Sequence, residues 1–166
     1  MYQYGHYGAA LLGYAPLGFL LSITGFDELA LLGAVGAAGL AMVPDVDQRL
    51  PLIAHRGPTH TVWFALAAGL VLAVLGLLIG LENGILQAIG LSVAGGYLGA
   101  VTVCSHIAAD ALTPAGVKPF APRRDDWYSY DVARASNPIA NGVLLVVGGA
   151  VAFGSAALGA WIHQLF

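Results

Sequence analysis

Between Thr61 and Leu81 the chain runs for 21 residues without a charged side chain. A helix of that length rises about 31 Å, enough to cross a hydrocarbon core of about 30 Å. Asn83 to Ser105 is a second such run, and Ala135 to Phe166 a third, broken only by His163. The first 26 residues contain no Asp, Glu, Lys or Arg, and His6 is their one histidine. Leu29 to Pro44 is a shorter run of 16 residues. It spans only if extended back to Gly25 or packed inside a bundle.

These runs predict an all-α integral membrane bundle of about five transmembrane helices in one domain, 1–166, with spans near 7–24, 26–43, 60–81, 84–112 and 138–162. A helical bundle is the expected form because lipid leaves no partner for an open strand edge, and barrel-type alternation is absent. Only 9% of residues are charged, against about 25% in soluble domains, which excludes a soluble globule. Six basic residues against nine acidic ones exclude a basic nucleic-acid binder. The single cysteine, Cys104, excludes a disulfide framework and a Cys-based zinc cage, and a packed, structural place in its helix is expected for it. The first segment lacks a basic n-region and reads as a span, not a cleaved signal peptide. Pro16 is expected to kink it. Small residues at Gly33-Gly36-Gly39, Gly76/Gly80 and Gly95/Gly99 suit close helix packing in lipid, although membrane helices also tolerate glycine generally.

Alternate crossings assign the polar residues to sides. The side of the N-terminus receives residues 1–6, 44–59 and the polar loop 113–137, with all six basic residues, Arg49, Arg56, Lys118, Arg123, Arg124 and Arg134. The other side receives Asp27, Glu28 and Glu82. The positive-inside rule makes the first side cytoplasmic and the C-terminus external, in a cell (inner) membrane. The same count brings His6, Asp45, Asp47, His55, His60, His106 and Asp110 to the cytoplasmic boundary, and leaves His163 on the far side.

Seven imidazoles and carboxylates at one depth suggest a metal site. His106 and Asp110, at i and i+4, share a helix face, and an intramembrane Asp is costly unless partnered. In an extended turn after Pro44, Asp45 and Asp47 would point the same way. His55 and His60 flank the Gly57-Pro58 turn, and Thr59 is a candidate cap for the third span. Imidazole and carboxylate without thiolate suit Zn²⁺, Mn²⁺ or Fe²⁺, and zinc is favoured. So many ligands exceed the needs of one catalytic zinc, which suggests a dinuclear site of the kind that clamps phosphate esters. Plainer uses exist: His6 as an interfacial residue, Asp45 and Asp47 as helix terminators beside Arg49, His106 and Asp110 as a structural hydrogen bond. Asn137, before Pro138, is a candidate cap for the last span. The loop with Arg123-Arg124-Asp125-Asp126-Trp127-Tyr128 is either an interfacial aromatic belt or a lid whose arginines hold an anionic headgroup.

Pro44-Asp45-Val46-Asp47, His55-Arg56-Gly57-Pro58-Thr59-His60-Thr61, and Ser105-His106-Ile107-Ala108-Ala109-Asp110-Ala111-Leu112-Thr113-Pro114 with Gly116 resemble, in order, the PD-x-D, HRG-x-TH-S/T and H-x-x-x-D-x-x-T-x-x-G motifs of the YdjM-type family. Its members are small inner-membrane proteins described as LexA-regulated, metal-dependent hydrolases. Lys118-Pro119-Phe120 resembles the segment that follows, and His6 the family's N-terminal histidine. The resemblance implies a metal-dependent hydrolase in the membrane and supplies no substrate.

The expectation is therefore a membrane metallohydrolase acting on a phosphate ester such as a lipid headgroup. Its metal ligands would be His6, Asp45, Asp47, His55, His60, His106 and Asp110. Asp47, Arg56 and Asp110 would act in catalysis, and Arg56, Arg123 and Arg124 would hold substrate phosphate. The lipid bilayer is the expected surrounding, and no nucleic-acid partner is expected. The alternative is a metal-binding or transport protein without hydrolysis.

Overall fold

A computed structural model describes residues 1–50 and 54–166. Five helices are long and apolar enough to cross a membrane. They are α1 (Gln3–Ile23), the span Asp27–Arg49 that begins with α2 (Asp27–Leu40), α3 (Val62–Leu81), α4 (Ile85–Ala111) and α5 (Pro138–His163). A 3-10 segment, Pro44–Arg49, continues the direction of α2, and a second, Pro58–His60, leads into α3. α2 alone has 14 residues, about 21 Å of rise. The second crossing therefore depends on the turn and 3-10 segment that follow it, as the short charge-free run implied.

Helix α1 runs unbroken through Pro16. Asn137 caps α5, its side chain accepting from the amides of Ile139 and Ala140 at 2.9 and 3.1 Å. The cap of α3 differs from expectation. Thr61, not Thr59, accepts from the Phe64 amide at 3.3 Å, because the 3-10 turn at Pro58–His60 delays the start of the α-helix to Val62. Cys104 also differs, lying exposed on the outer face of α4, while Val103, His106, Ile107 and Asp110 of the same helix turn inward.

Two helix pairs dominate the packing, α1 with α5 and α3 with α4. In both, missing side chains let backbones touch, as expected where lipid offers no hydrophobic driving force between helices. A Cβ at Gly8 would strike the backbone of Leu144, and one at Gly148 the backbone of Gly8. Gly76 and Gly95 do the same for Leu91 and Leu72, and a Cβ on Gly99 would lie 2.6 Å from the Ala68 carbonyl. In α2 the glycine pattern has mixed uses. Gly33 makes room for the Tyr14 ring, whose hydroxyl donates to the Ala30 carbonyl at 2.7 Å, whereas Gly39 faces open space.

The helices alternate in direction, which gives the bundle two unlike ends. At one, His163 Nδ1 meets the Ile23 carbonyl at 3.2 Å, near Asp27 and Glu28. The other gathers the start of α1, the ends of α2 and α4, and the starts of α3 and α5. Residues 113–137 cover this end and are pinned to it. Tyr130 and Val132 each donate an amide at 2.8 Å, to the carbonyls of Ala111 and Leu112 at the end of α4. The Pro119 carbonyl accepts from the Val62 amide at 2.9 Å.

Candidate metal centre

Four chain segments deliver titratable side chains to that pinned end. α1 supplies His6, the first 3-10 segment supplies Asp45 and Asp47, the approach to α3 supplies His55, Arg56 and His60, and α4 supplies His106 and Asp110 one turn apart. His6, Asp47, His60, His106 and Asp110 are all buried.

The hydrogen bonds at Nδ1 decide which imidazole nitrogens remain open. His106 Nδ1 lies 2.7 Å from the Ala41 carbonyl. A carbonyl only accepts, so Nδ1 carries the proton and Nε2 a lone pair. His60 Nδ1 lies 3.0 Å from Thr59 Oγ1 and 3.3 Å from Asp47 Oδ2, which assigns its proton to Nδ1 as well. In this tautomer the two Nε2 atoms, 3.2 Å apart, face each other with lone pairs. Asp45 Oδ1 stands 3.4 Å from His60 Nε2 and 3.6 Å from His106 Nε2. Asp110 Oδ2 stands 3.6 and 3.9 Å from the same two atoms.

Such a convergence of electron pairs is repulsive without a cation. Asp45 Oδ1 is buried and has no hydrogen-bond partner among the described residues. Ligand atoms on a tetrahedral ion at about 2.0–2.1 Å stand about 3.3–3.4 Å apart, close to the spacings here. The buried His/Asp groups are thus able to hold a metal ion, in overlapping sets: His60, His106 and Asp110; His6, Asp45 and His106; Asp45, His55 and His60. His6 stacks on His106 with ring centres 3.7 Å apart. Its Nε2 donates to the Met1 carbonyl at 2.9 Å, leaving Nδ1 buried without a partner among the described residues.

A family model described as YdjM inner membrane protein matches residues 5–165. The chain belongs to that family. No curated protein and no solved structure matches it.

In this YdjM-family chain, Arg56 links two of the motifs. Its backbone is left-handed, with φ of 61°, a conformation uncommon outside glycine. The turn aims its amide at Asp47 Oδ2, 3.1 Å away, and its guanidinium at the end of α4. There Nη1 donates to Thr113 Oγ1 at 3.3 Å and to the Gly116 carbonyl at 2.9 Å, and Nη2 lies 3.1 Å from Asp110 Oδ1. Gly116 is itself left-handed at φ +57°, and a Cβ there would fall 2.6 Å from the Tyr128 carbonyl. The Met1 amino group also meets Asp110 Oδ1. Cations thus occupy one carboxylate oxygen of Asp110, and the other faces the imidazoles.

Asp45 and Asp47 part company. An extended turn would align them, but a 3-10 helix has 3.0 residues per turn, which separates positions i and i+2 by about 120°. Asp45 turns inward, whereas Asp47 turns to the loop before α3. Its Oδ1 accepts from His55 Nδ1 at 3.0 Å and its Oδ2 from Thr59 Oγ1 at 2.7 Å. His55 is 43% exposed at the mouth of the site.

Neither loop arginine reaches the cluster. Arg123 lies over the Trp63 ring, 5.3 Å from its centre. Arg124 pairs with Asp126 at 2.7 Å. Motif reading gave no role to the Ala41 carbonyl or to Asn141, which ties the Tyr2 amide to α5 at 3.0 Å. A backbone carbonyl carries no residue signature, and Asn141 resembled any polar residue in the first turn of a span.

Two cavities meet at Asp45. One of about 320 Å³ runs past His55, Arg56 and Asp110. The other, about 510 Å³, is walled by Gly39, Met42, Val43 and Val46, with Gln48 and Arg49 also lining it.

Proposed function

We propose that the protein is a metal-dependent hydrolase whose His/Asp centre opens on the cytoplasmic face and acts on a phosphate ester, a lipid headgroup being the preferred substrate. The observation that carries this reading is the convergence of His60 Nε2, His106 Nε2, Asp45 Oδ1 and Asp110 Oδ2, with measured spacings of 3.2–3.9 Å, at the end of a cavity. This nitrogen–oxygen set suits zinc, with manganese or iron as weaker fits. The unpartnered Nδ1 of His6 supports a second ion in the same centre.

A cation bound there polarises an ester oxygen and makes water more acidic. The protein's own groups bind and orient. Arg56 keeps Asp110 Oδ1 engaged, which directs Oδ2 to the imidazoles. Its guanidinium fork has more N–H donors than these contacts use, and the remainder serve a phosphoryl oxygen in the cavity that Arg56 lines. The apolar cavity beside α2 supports an amphiphile, with a chain along Met42, Val43 and Val46 and its polar end at Asp45. Arg123 and Arg124, outside the cluster, would meet headgroups at the membrane surface.

Elemental analysis of the purified protein, followed by assay on phosphatidic acid micelles and on bis-p-nitrophenyl phosphate with and without chelator, tests this. Bound transition metal and chelator-sensitive release of phosphate or nitrophenol are expected. Metal content well below one ion per chain, unchanged by His60→Ala or Asp110→Ala, would sink the reading.

A further inference from the structure

Asp47 belongs to none of the three groups of side chains whose ligand atoms converge, although its carboxylate is buried beside them. Its oxygens are already engaged. Oδ1 accepts from His55 Nδ1 at 3.0 Å. Oδ2 accepts from Thr59 Oγ1 at 2.7 Å and the Arg56 amide at 3.1 Å, and lies 3.3 Å from His60 Nδ1. The two hydrogen bonds on Oδ2 take up its two lone pairs, and Oδ1 is committed to His55. Asp45 Oδ1 is the opposite case, buried with no hydrogen-bond donor among the described residues.

We propose that Asp47 is a positioning residue: an outer carboxylate that keeps the protons of His55 and His60 on Nδ1, which fixes the His55 ring at the mouth of the site and leaves Nε2 of His60 as the nitrogen offered to a cation. The proposal rests on the metal-site reading above. The geometry supports it in two ways. First, both imidazoles that Asp47 meets present Nδ1 to it, although they come from different positions of one loop and their rings stand at 89° to each other. Second, His106 achieves the same tautomer through a neutral acceptor, the Ala41 carbonyl. The two facing imidazoles are thus held with Nδ1 protonated by two different devices: a backbone carbonyl at His106, and at His60 the Thr59 hydroxyl, 3.0 Å away and itself donating to Asp47 Oδ2, with that carboxylate 3.3 Å from the ring nitrogen. A carboxylate behind a ligand imidazole fixes its ring and raises its basicity, and removing such a partner costs about 10- to 100-fold in metal affinity.

Nuclear magnetic resonance of metal-free, ¹⁵N-histidine-labelled protein in micelles reads the tautomers directly. The wild type should show protonated Nδ1 and unprotonated Nε2 for His55, His60 and His106. In Asp47→Asn the strongly hydrogen-bonded Nδ1 protons of His55 and His60 should move upfield or vanish, while that of His106 stays. Titration with Zn²⁺ should give Asp47→Asn the wild-type stoichiometry and an affinity about 10- to 100-fold weaker. Asp110→Ala, which deletes a proposed ligand, should lose stoichiometry. Asp47→Ala repeats the measurement should the asparagine amide misfold the loop. Unchanged His55 and His60 signals overturn the proposal, as does an Asp47→Asn protein that loses its ion outright at saturating Zn²⁺. A wild type that takes up no zinc, yet shows the signal changes, removes the metal reading and leaves the positioning of the two imidazoles by Asp47 intact.

Discussion

His60 and His106 hold their Nε2 atoms 3.2 Å apart across a gap of 46 positions in the chain. Each has its Nδ1 turned to an acceptor, and in the Nδ1-protonated neutral tautomer the two facing Nε2 atoms both carry lone pairs. Two imidazoles between two carboxylates form an arrangement that a divalent cation would stabilise.

Replacing either ring should therefore remove the ion and not merely weaken it. His60→Ala or His106→Ala is expected to reduce metal affinity by more than about 100-fold, beyond the loss from removing an outer partner. Elemental analysis after gel filtration, with folding checked by circular dichroism, reads the result. Retention of wild-type metal content by both variants would exclude this centre.

Removing the ion should also loosen the bundle, because four separate segments meet at it. A ligand that binds only the folded state adds about 2.7 kcal/mol at a hundredfold excess over its Kd. Chelator should thus lower the melting temperature in detergent, and added Zn²⁺ should restore it. A melting curve indifferent to both would contradict a shared centre.

The glycine contacts predict a contrast within one helix. Gly148→Ala drives a methyl into the Gly8 backbone, whereas Gly142 has nothing within 4 Å of its Cβ direction. Gly148→Ala should cost about 1–3 kcal/mol, as overpacking does. Gly142→Ala should be neutral or gain up to about 1 kcal/mol from helix propensity. Thermal or denaturant unfolding of the two variants measures the difference, and equal stabilities would refute the packing.

The six basic residues gathered in segments at the end that carries the His/Asp cluster predict a cytoplasmic placement of that end. Alkaline phosphatase fused after Phe166 is expected to be active, and a green fluorescent protein fused there dark, placing the C-terminus outside. The reverse pattern would turn the centre away from the cytoplasm.

The helices were legible because charge-free runs of bilayer length have few other uses. The same logic identified the end of the molecule at which His6, Asp45, His60, His106 and Asp110 meet. Finer detail depended on turn geometry, which residue types constrain weakly. Asp45 and Asp47 share a motif, yet a 3-10 turn instead of an extended one sends them to different partners. Thr59 and Thr61 are equally good caps by composition, and the short turn at Pro58–His60 gives the cap to Thr61 and frees Thr59 for Asp47. Cys104 faces outward because the inward face of α4 is set by His106 and Asp110, and its own position falls on the opposite side.

The pairing of α1 with α5 has a consequence for biogenesis. Helices enter the membrane in the order of their synthesis, so the first to insert lacks its glycine-fitted neighbour until the last has emerged. The ion-binding atoms are likewise incomplete until Asp110 has been translated. A chain that ends before Asp110 therefore lacks one carboxylate of the proposed centre, and α1 lacks its fitted neighbour until α5 has been made.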